Sequence, residues 1–119
     1  VRQQVKEKHV LVEGGNPAGG TTEGVGIRID WQNGPLGQGA TRKEPNGAFV
    51  EGVIAAAVGR LAFYQTTKFK CRENALAITK LEEALHWLDA RTRKREEDGV
   101  EGTHELTPAE EFQAGVEGR

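Results

Sequence analysis

Residues 73–98, ENALAITKLEEALHWLDARTRKREED, decide how this chain must fold. No Pro or Gly interrupts the run, and Ala, Leu, Glu, Lys and Arg dominate it, all good helix formers. A helix of this length spans roughly 40 Å at 1.5 Å per residue. Gly99 follows directly, in the place of a C′ glycine that ends a helix. Ile78, Leu81, Leu85 and Leu88 repeat at 3-4-3 spacing, which lays a narrow apolar seam along one face. Carried further, the same spacing brings Thr92 and Arg95 onto the stripe, with Arg91 beside them. An apolar packing line becomes cationic without changing face.

Upstream of that helix, Phe49, Val50, Val53, Ile54, Ala57 and Leu61 supply a second helical stripe, ending near Gln65. Pro45-Asn46 precedes it, with Asn46 placed as an N-cap. Ala55-Ala56-Ala57 and Gly59 make one flank very small, so another backbone can approach closely. Thr66 to Arg72 is short enough to connect an antiparallel helix pair.

The first 44 residues read differently. Lys8 to Val12 is a short strand candidate, and Gly14 to Gly20 reads as a turn-rich loop. Val25, Ile27, Ile29 and Trp31 alternate with polar or small residues, as in a strand with one buried face. Asn33-Gly34-Pro35 ends it, and Leu36 to Glu44 is a Gly-rich connection. So small a β element must pack on helices. Beyond Gly99 the chain turns polar. Leu106 to Phe112 reads as one helical turn capped by Thr107, with disorder expected from Gln113 onward. The fold class is therefore α+β: an antiparallel β element in 1–44, a two-helix antiparallel hairpin in 45–104, and a polar tail in 105–119.

Composition bounds the function. The 119 residues are 36% hydrophobic and only 6% aromatic, lean for a self-sufficient monomer, so oligomerisation is expected. Sixteen glycines, mostly before residue 60, fit a loop-rich first half. A net charge of -2 carries no global basic field that would draw DNA or RNA. The single Cys71 excludes an internal disulfide and suits a reducing compartment. No apolar run reaches the length of a membrane span or signal core, so a soluble cytoplasmic protein is expected. The start at Val1 leads to the expectation of a trimmed or processed chain.

The chemistry-bearing residues point to binding. His9, His86 and His104 are scattered, and one Cys without CxxC or HxxxH spacing argues against a metal site. Gly14-Gly15 and Gly19-Gly20 lack the Lys and the strand–helix frame of a phosphate loop. There is no nucleophile–base pair, so neither an enzyme nor a cofactor is expected. Arg91 and Arg95 admit two readings. They pair with Glu96 and Glu97 on a protruding helix end, or they meet symmetry copies and fork onto an anion. Arg42, Lys43, Pro45 and Asn46 gather where a helix start favours an anion. Phe63, Tyr64, Phe69 and Asn74 cluster at the interhelical turn. There an aromatic face can stack on a purine and an amide can pair with its edge. Their plainer reading is a turn with core aromatics and a capping Asn74.

Arg42 to Gly52 (RKEPNGAFVEG), Phe63 to Asn74 (FYQTTKFKCREN), and ALAITKLEEALHWLDARTRKR followed by GVEGTH resemble the phage Thoeris anti-defence proteins of the first class. The hairpin is similar to that of the related phage anti-CBASS sequestering proteins. The resemblance covers roughly residues 25–104 and departs at Asp98, where it leads to a basic residue. It implies a sponge acting in the cytoplasm of the infected bacterial host. Such a sponge assembles, typically as a hexamer, and holds cyclic ADP-ribose isomers without cleaving them. It further implies a first site drawing on Arg28, Arg42, Asn46, Tyr64 and Asn74. A second site, for a cyclic di- or trinucleotide, draws on Arg91, Thr92, Arg95 and Thr103. The alternative is a helical-hairpin interaction module that binds a host protein.

Overall fold

The computed structural model describes residues 4–111; the disorder expected from Gln113 onward lies outside them. Three strands, β1 (Lys6–Val12), β2 (Asn16–Gly24) and β3 (Ile27–Asp30), precede two helices, α1 (Val50–Tyr64) and α2 (Arg72–Glu97). The chain divides into two units: Val1–Ala48 with Lys94–Arg119, and Phe49–Arg93. These bounds differ from the sequence reading of 1–44, 45–104 and 105–119. The physical reason is hydrogen bonding between the glycine-rich connection and the turn that follows α2.

In the first unit the strands form an antiparallel sheet in the order β1-β2-β3. Its central strand is a correction to the loop expected over Gly14 to Gly20. NPAGGTTEG has no apolar alternation, so nothing in its side chains announces a strand. Backbone pairing on both edges recruits it instead, Glu7 opposite Thr22 on one side and Thr22 opposite Ile29 on the other. The register shifts between His9 and Leu11, where Val10 faces both Ala18 and Gly19. Gly20 shows why glycine is needed here. Its φ is +134°, and a Cβ would run into the Lys8 carbonyl oxygen.

The strand end is locked by amides. The Ala48 N–H donates to the Asp30 carbonyl at 2.8 Å and the Gln32 N–H donates to the Ala48 carbonyl at 3.0 Å. Around this bridge the Asn46 N–H donates to Gln32 Oε1 at 2.9 Å, while Asn46 Oδ1 accepts from the Asn33 N–H at 2.8 Å. Asn46 is thus no helix cap, contrary to expectation. α1 starts at Val50, after Phe49, which makes no side-chain cap bond. The Asn46 amide has closer partners in the strand end, and these hold it four residues before the helix.

At the far end of α2 the glycine stop is as read. Gly99 N–H donates to the Glu96 carbonyl and Val100 N–H to the Arg95 carbonyl, both at 3.0 Å, closing a Schellman motif. The connection 34–44 is stitched to this turn. Gly37 N–H donates to the Gly102 carbonyl at 2.8 Å, and Gln38 Nε2 donates to the Gly99 and Glu101 carbonyls at 3.0 and 2.6 Å. Gly102, at φ +81°, has no room for a Cβ against the Gly37 carbonyl.

In the helical unit, α1 and α2 are joined by residues 65–71. Gln65 closes the joint, its amide donating to the Cys71 carbonyl and accepting from the Cys71 N–H, both at 3.0 Å. The half-buried face of α2 runs through Asn74, Ile78, Leu81, Leu85, Leu88 and Thr92, the expected seam extended back by one turn. On α1 the half-buried residues include Val53, Ile54, Val58 and Leu61, while Phe49, Val50 and Ala57 are exposed. No residue of either helix is fully buried. Among the described residues the buried apolar side chains are Ala18 and Val100 alone. So little burial falls well short of what an isolated domain of this size needs.

Candidate functional site

In the helical unit the aromatic and amide residues lie around the 65–71 joint. Tyr64 is the last residue of α1 and half-buried; Phe63 beside it is exposed. Their ring centroids are 6.0 Å apart at 50°. The Thr66 and Thr67 hydroxyls donate to the Phe63 and Tyr64 carbonyls at 2.7 and 2.6 Å, satisfying the end of α1. Thr67 Oγ1 also accepts from the Phe69 N–H at 3.1 Å, leaving the Phe69 ring exposed. Asn74 is the third residue of α2, so Cys71 and not Asn74 precedes the helix. Its amide makes no hydrogen bond among the described residues and sits at the start of the half-buried face. Phe69, by contrast, is no core anchor.

Sequence reading overlooked Arg60. Its guanidinium carbon lies 5.0 Å from the Phe63 ring centre and 4.9 Å from that of Tyr64, and its Nε donates to Tyr64 Oη at 3.2 Å. The signal was present in the spacing, because residues three and four apart share a helix face. Further along, Arg91 is exposed and Thr92 half-buried; Arg93 pairs with Asp89 at 2.7 Å.

In the sheet-bearing unit, Arg28 sits on β3 with one arm on Glu23 and the other on Asp30, 3.1 Å away. The Asp30 hydrogen bond and charge, joined by the Glu23 charge, raise its pKa and hold it cationic. Arg42 follows the 3-10 turn Gly39–Thr41, its N–H donating to the Gly39 carbonyl. Its side chain is exposed and meets no carboxylate among the described residues. Asn46 is committed to the strand-end lock, and Arg28 to its two carboxylates.

Arg95 and Thr103 are brought together in that same unit, though the partners of Arg95 are not Glu96 or Glu97. Nη1 lies 2.6 Å from Glu110 and Nε 3.3 Å from Glu101. Nη2 donates to the Val100, Thr103 and Glu105 carbonyls at 3.0–3.1 Å. The side chain is 13% exposed. Glu110 is positioned in turn by a capping box: the Thr107 N–H donates to Glu110 Oε1 at 2.9 Å, and Thr107 Oγ1 accepts from the Glu110 N–H at 3.0 Å. Thr107 caps the short turn as read, and residues 105–111 are held onto the end of α2. Among the described residues no group of three His, Cys, Asp or Glu side chains is placed to hold a metal ion. None of the helices there is long and apolar enough to cross a membrane.

Known proteins resemble this chain in sequence. A relative from Bacillus phage SBSphiJ7, named Thoeris anti-defense 1, is 52% identical over 77 residues, 65% of this chain and 51% of the relative. The chain thus spans about half the length of the curated relative it matches. The family model described as Acb2/Tad1, hairpin domain, matches residues 23–93, from the end of β2 through most of α2. That segment contains Arg28, Arg42, Asn46, Tyr64, Asn74, Arg91 and Thr92, and stops before the Arg95 clasp. The chain belongs to the Acb2/Tad1 hairpin-domain family.

Proposed function

We propose that this protein is a phage anti-defence sponge. It binds cyclic ADP-ribose isomers made as bacterial immune signals, in the cytoplasm of the infected host, and sequesters them without cleaving them. The observation that carries this reading is the identity, over 65% of the chain, to a relative named for anti-defence against Thoeris. The chemistry at the interhelical joint supports it. Tyr64 offers an aromatic face and Asn74 an amide with no hydrogen-bond partner among the described residues. A ligand with an adenine and a pyrophosphate would use both, with Arg42, which meets no carboxylate among the described residues, supplying a fork for phosphate. Arg28 and Asn46 complete the assigned set, acting through the strand that they hold in shape.

A second site, for a cyclic di- or trinucleotide, is assigned to Arg91, Thr92, Arg95 and Thr103. Arg91 is its open cation, and Arg95 fixes the turn that carries Thr103. The working form is a homo-oligomer, with a hexamer favoured. Helices with no fully buried residue, and a Trp87 that is 72% exposed, support assembly as the source of the missing burial.

The test incubates the full chain with cyclic ADP-ribose isomers, removes free ligand, denatures the protein by heat and identifies what is released by mass spectrometry. Intact ligand and a native mass above the monomer are expected. A hydrolysed product would overturn sequestration and indicate an enzyme. No retained ligand, together with a stable complex with a host protein, would favour the interaction-module alternative.

A further inference from the structure

The arginines of this protein differ in what their guanidiniums already hold. Arg28 has carboxylates on both arms, Arg93 is paired with Asp89, and Arg95 is closed by Glu101, Glu110 and three carbonyls. Each is oriented, and each has its charge compensated by the protein. Among the described residues Arg42, Arg72 and Arg91 meet no carboxylate, make no side-chain hydrogen bond and lie over no aromatic ring.

Arg60 combines what these two groups keep apart. Two aromatic rings at 5.0 and 4.9 Å and the Nε–Tyr64 Oη bond at 3.2 Å set its orientation, and all of these partners are neutral. Among the described residues no carboxylate lies within 4 Å of it, and its two terminal nitrogens find no acceptor. The attraction between a cation and a ring face steers the guanidinium without cancelling its charge. What remains is a planar cation with four N–H donors, held in place beside an aromatic pair. Tyr64 Oη accepts from Arg60, so its own hydrogen is free to donate to a ligand. A phosphate meets such a fork bidentately, which a lysine ammonium cannot reproduce.

We propose that Arg60 is a phosphate-binding residue of the nucleotide site built on Tyr64. Its terminal nitrogens take phosphoryl oxygens of a ligand whose base stacks on the neighbouring aromatic face. This rests on the reading that Tyr64 belongs to a nucleotide site. The ligand class is therefore a phosphate-bearing cyclic nucleotide and not a free nucleoside.

The experiment titrates the full chain and its Arg60→Ala, Arg60→Lys and Tyr64→Ala variants with cyclic ADP-ribose isomers by calorimetry, with native mass and thermal midpoint recorded for each. Arg60→Ala should weaken binding by on the order of 10- to 100-fold, the worth of hydrogen bonds to a charged group. It should also flatten the salt dependence. Arg60→Lys should fall between Arg60→Ala and wild type, because it restores charge without the fork. With unchanged native mass, wild-type affinity in both Arg60 variants, alongside loss in Tyr64→Ala, would overturn the role of Arg60 and leave the sponge reading standing. A wild-type chain that binds none of the isomers would overturn the sponge reading, and this inference with it. If Arg60→Ala fails to fold, Arg60→Lys decides: wild-type affinity and salt dependence overturn the proposal, and a weakened, still salt-dependent affinity supports it.

Discussion

Glu110 places its carboxylate Oε1 2.6 Å from Nη1 of Arg95, fifteen residues earlier in the chain. The contact joins the end of α2 to the last described turn, and both side chains are substantially withdrawn from water. Arg95 is 13% exposed and Glu110 28%. An ion pair of this kind is worth most through what its breakage leaves behind, a desolvated charge without a partner. Arg95→Ala should therefore lower stability by about 2–3 kcal/mol. Glu110→Gln, which keeps an acceptor oxygen, should cost about half as much. Urea unfolding at one fixed protein concentration checks both, and equal midpoints for wild type and Arg95→Ala would show that the clasp contributes nothing.

Thr107 is 1% exposed, and its hydroxyl and N–H both serve the capping box with Glu110. Thr107→Ala removes the cap and should cost about 1 kcal/mol. Thr107→Ser keeps the oxygen and should cost less. Hydrogen exchange at the Glu110 amide reads the cap directly, with protection lost in Thr107→Ala and retained in Thr107→Ser.

Gly102 and Gly15 both have positive φ, +81° and +74°, yet their surroundings differ. A Cβ on Gly15 meets open space, whereas one on Gly102 meets the Gly37 carbonyl. Gly15→Ala should cost roughly 1–2 kcal/mol, from the left-handed conformation alone. Gly102→Ala should cost distinctly more, since the 37–102 backbone pair must also part. Thermal midpoints measured side by side decide it, and equal shifts would mean that the turn relaxes around the methyl group.

Gly59 lies inside α1 with nothing near its missing Cβ. Within a single protomer, Gly59→Ala should stabilise the helix by about 1 kcal/mol. Native mass spectrometry run beside the thermal melt adds a second readout. A drop in assembled mass despite an unharmed helix would show that another backbone rests on that small flank.

The helices were legible because their information is local. The Ile78–Leu88 spacing, the uninterrupted run of helix formers, the stop at Gly99 and the Thr107 cap all act within a few residues of chain. The positions of Tyr64 at the end of α1 and Asn74 at the start of α2 were legible on the same grounds, since both follow from where each helix stops and starts. β2 was not. Its glycines and threonines have no hydrophobic period, and it exists because two neighbouring strands satisfy its backbone on both edges.

Sequence alone thus determined the α+β class, the two helices and their seam, and the residues able to stack, pair or hold an anion. Tertiary structure decided which of them are already occupied. Asn46 is consumed by a strand end thirteen residues upstream, Arg28 by Glu23 and Asp30, and Arg95 by a segment beyond the helix it belongs to. Residue type and spacing establish what a side chain can bind. Which partner reaches it first depends on contacts between distant parts of the chain, and these form only once the backbone has closed on itself.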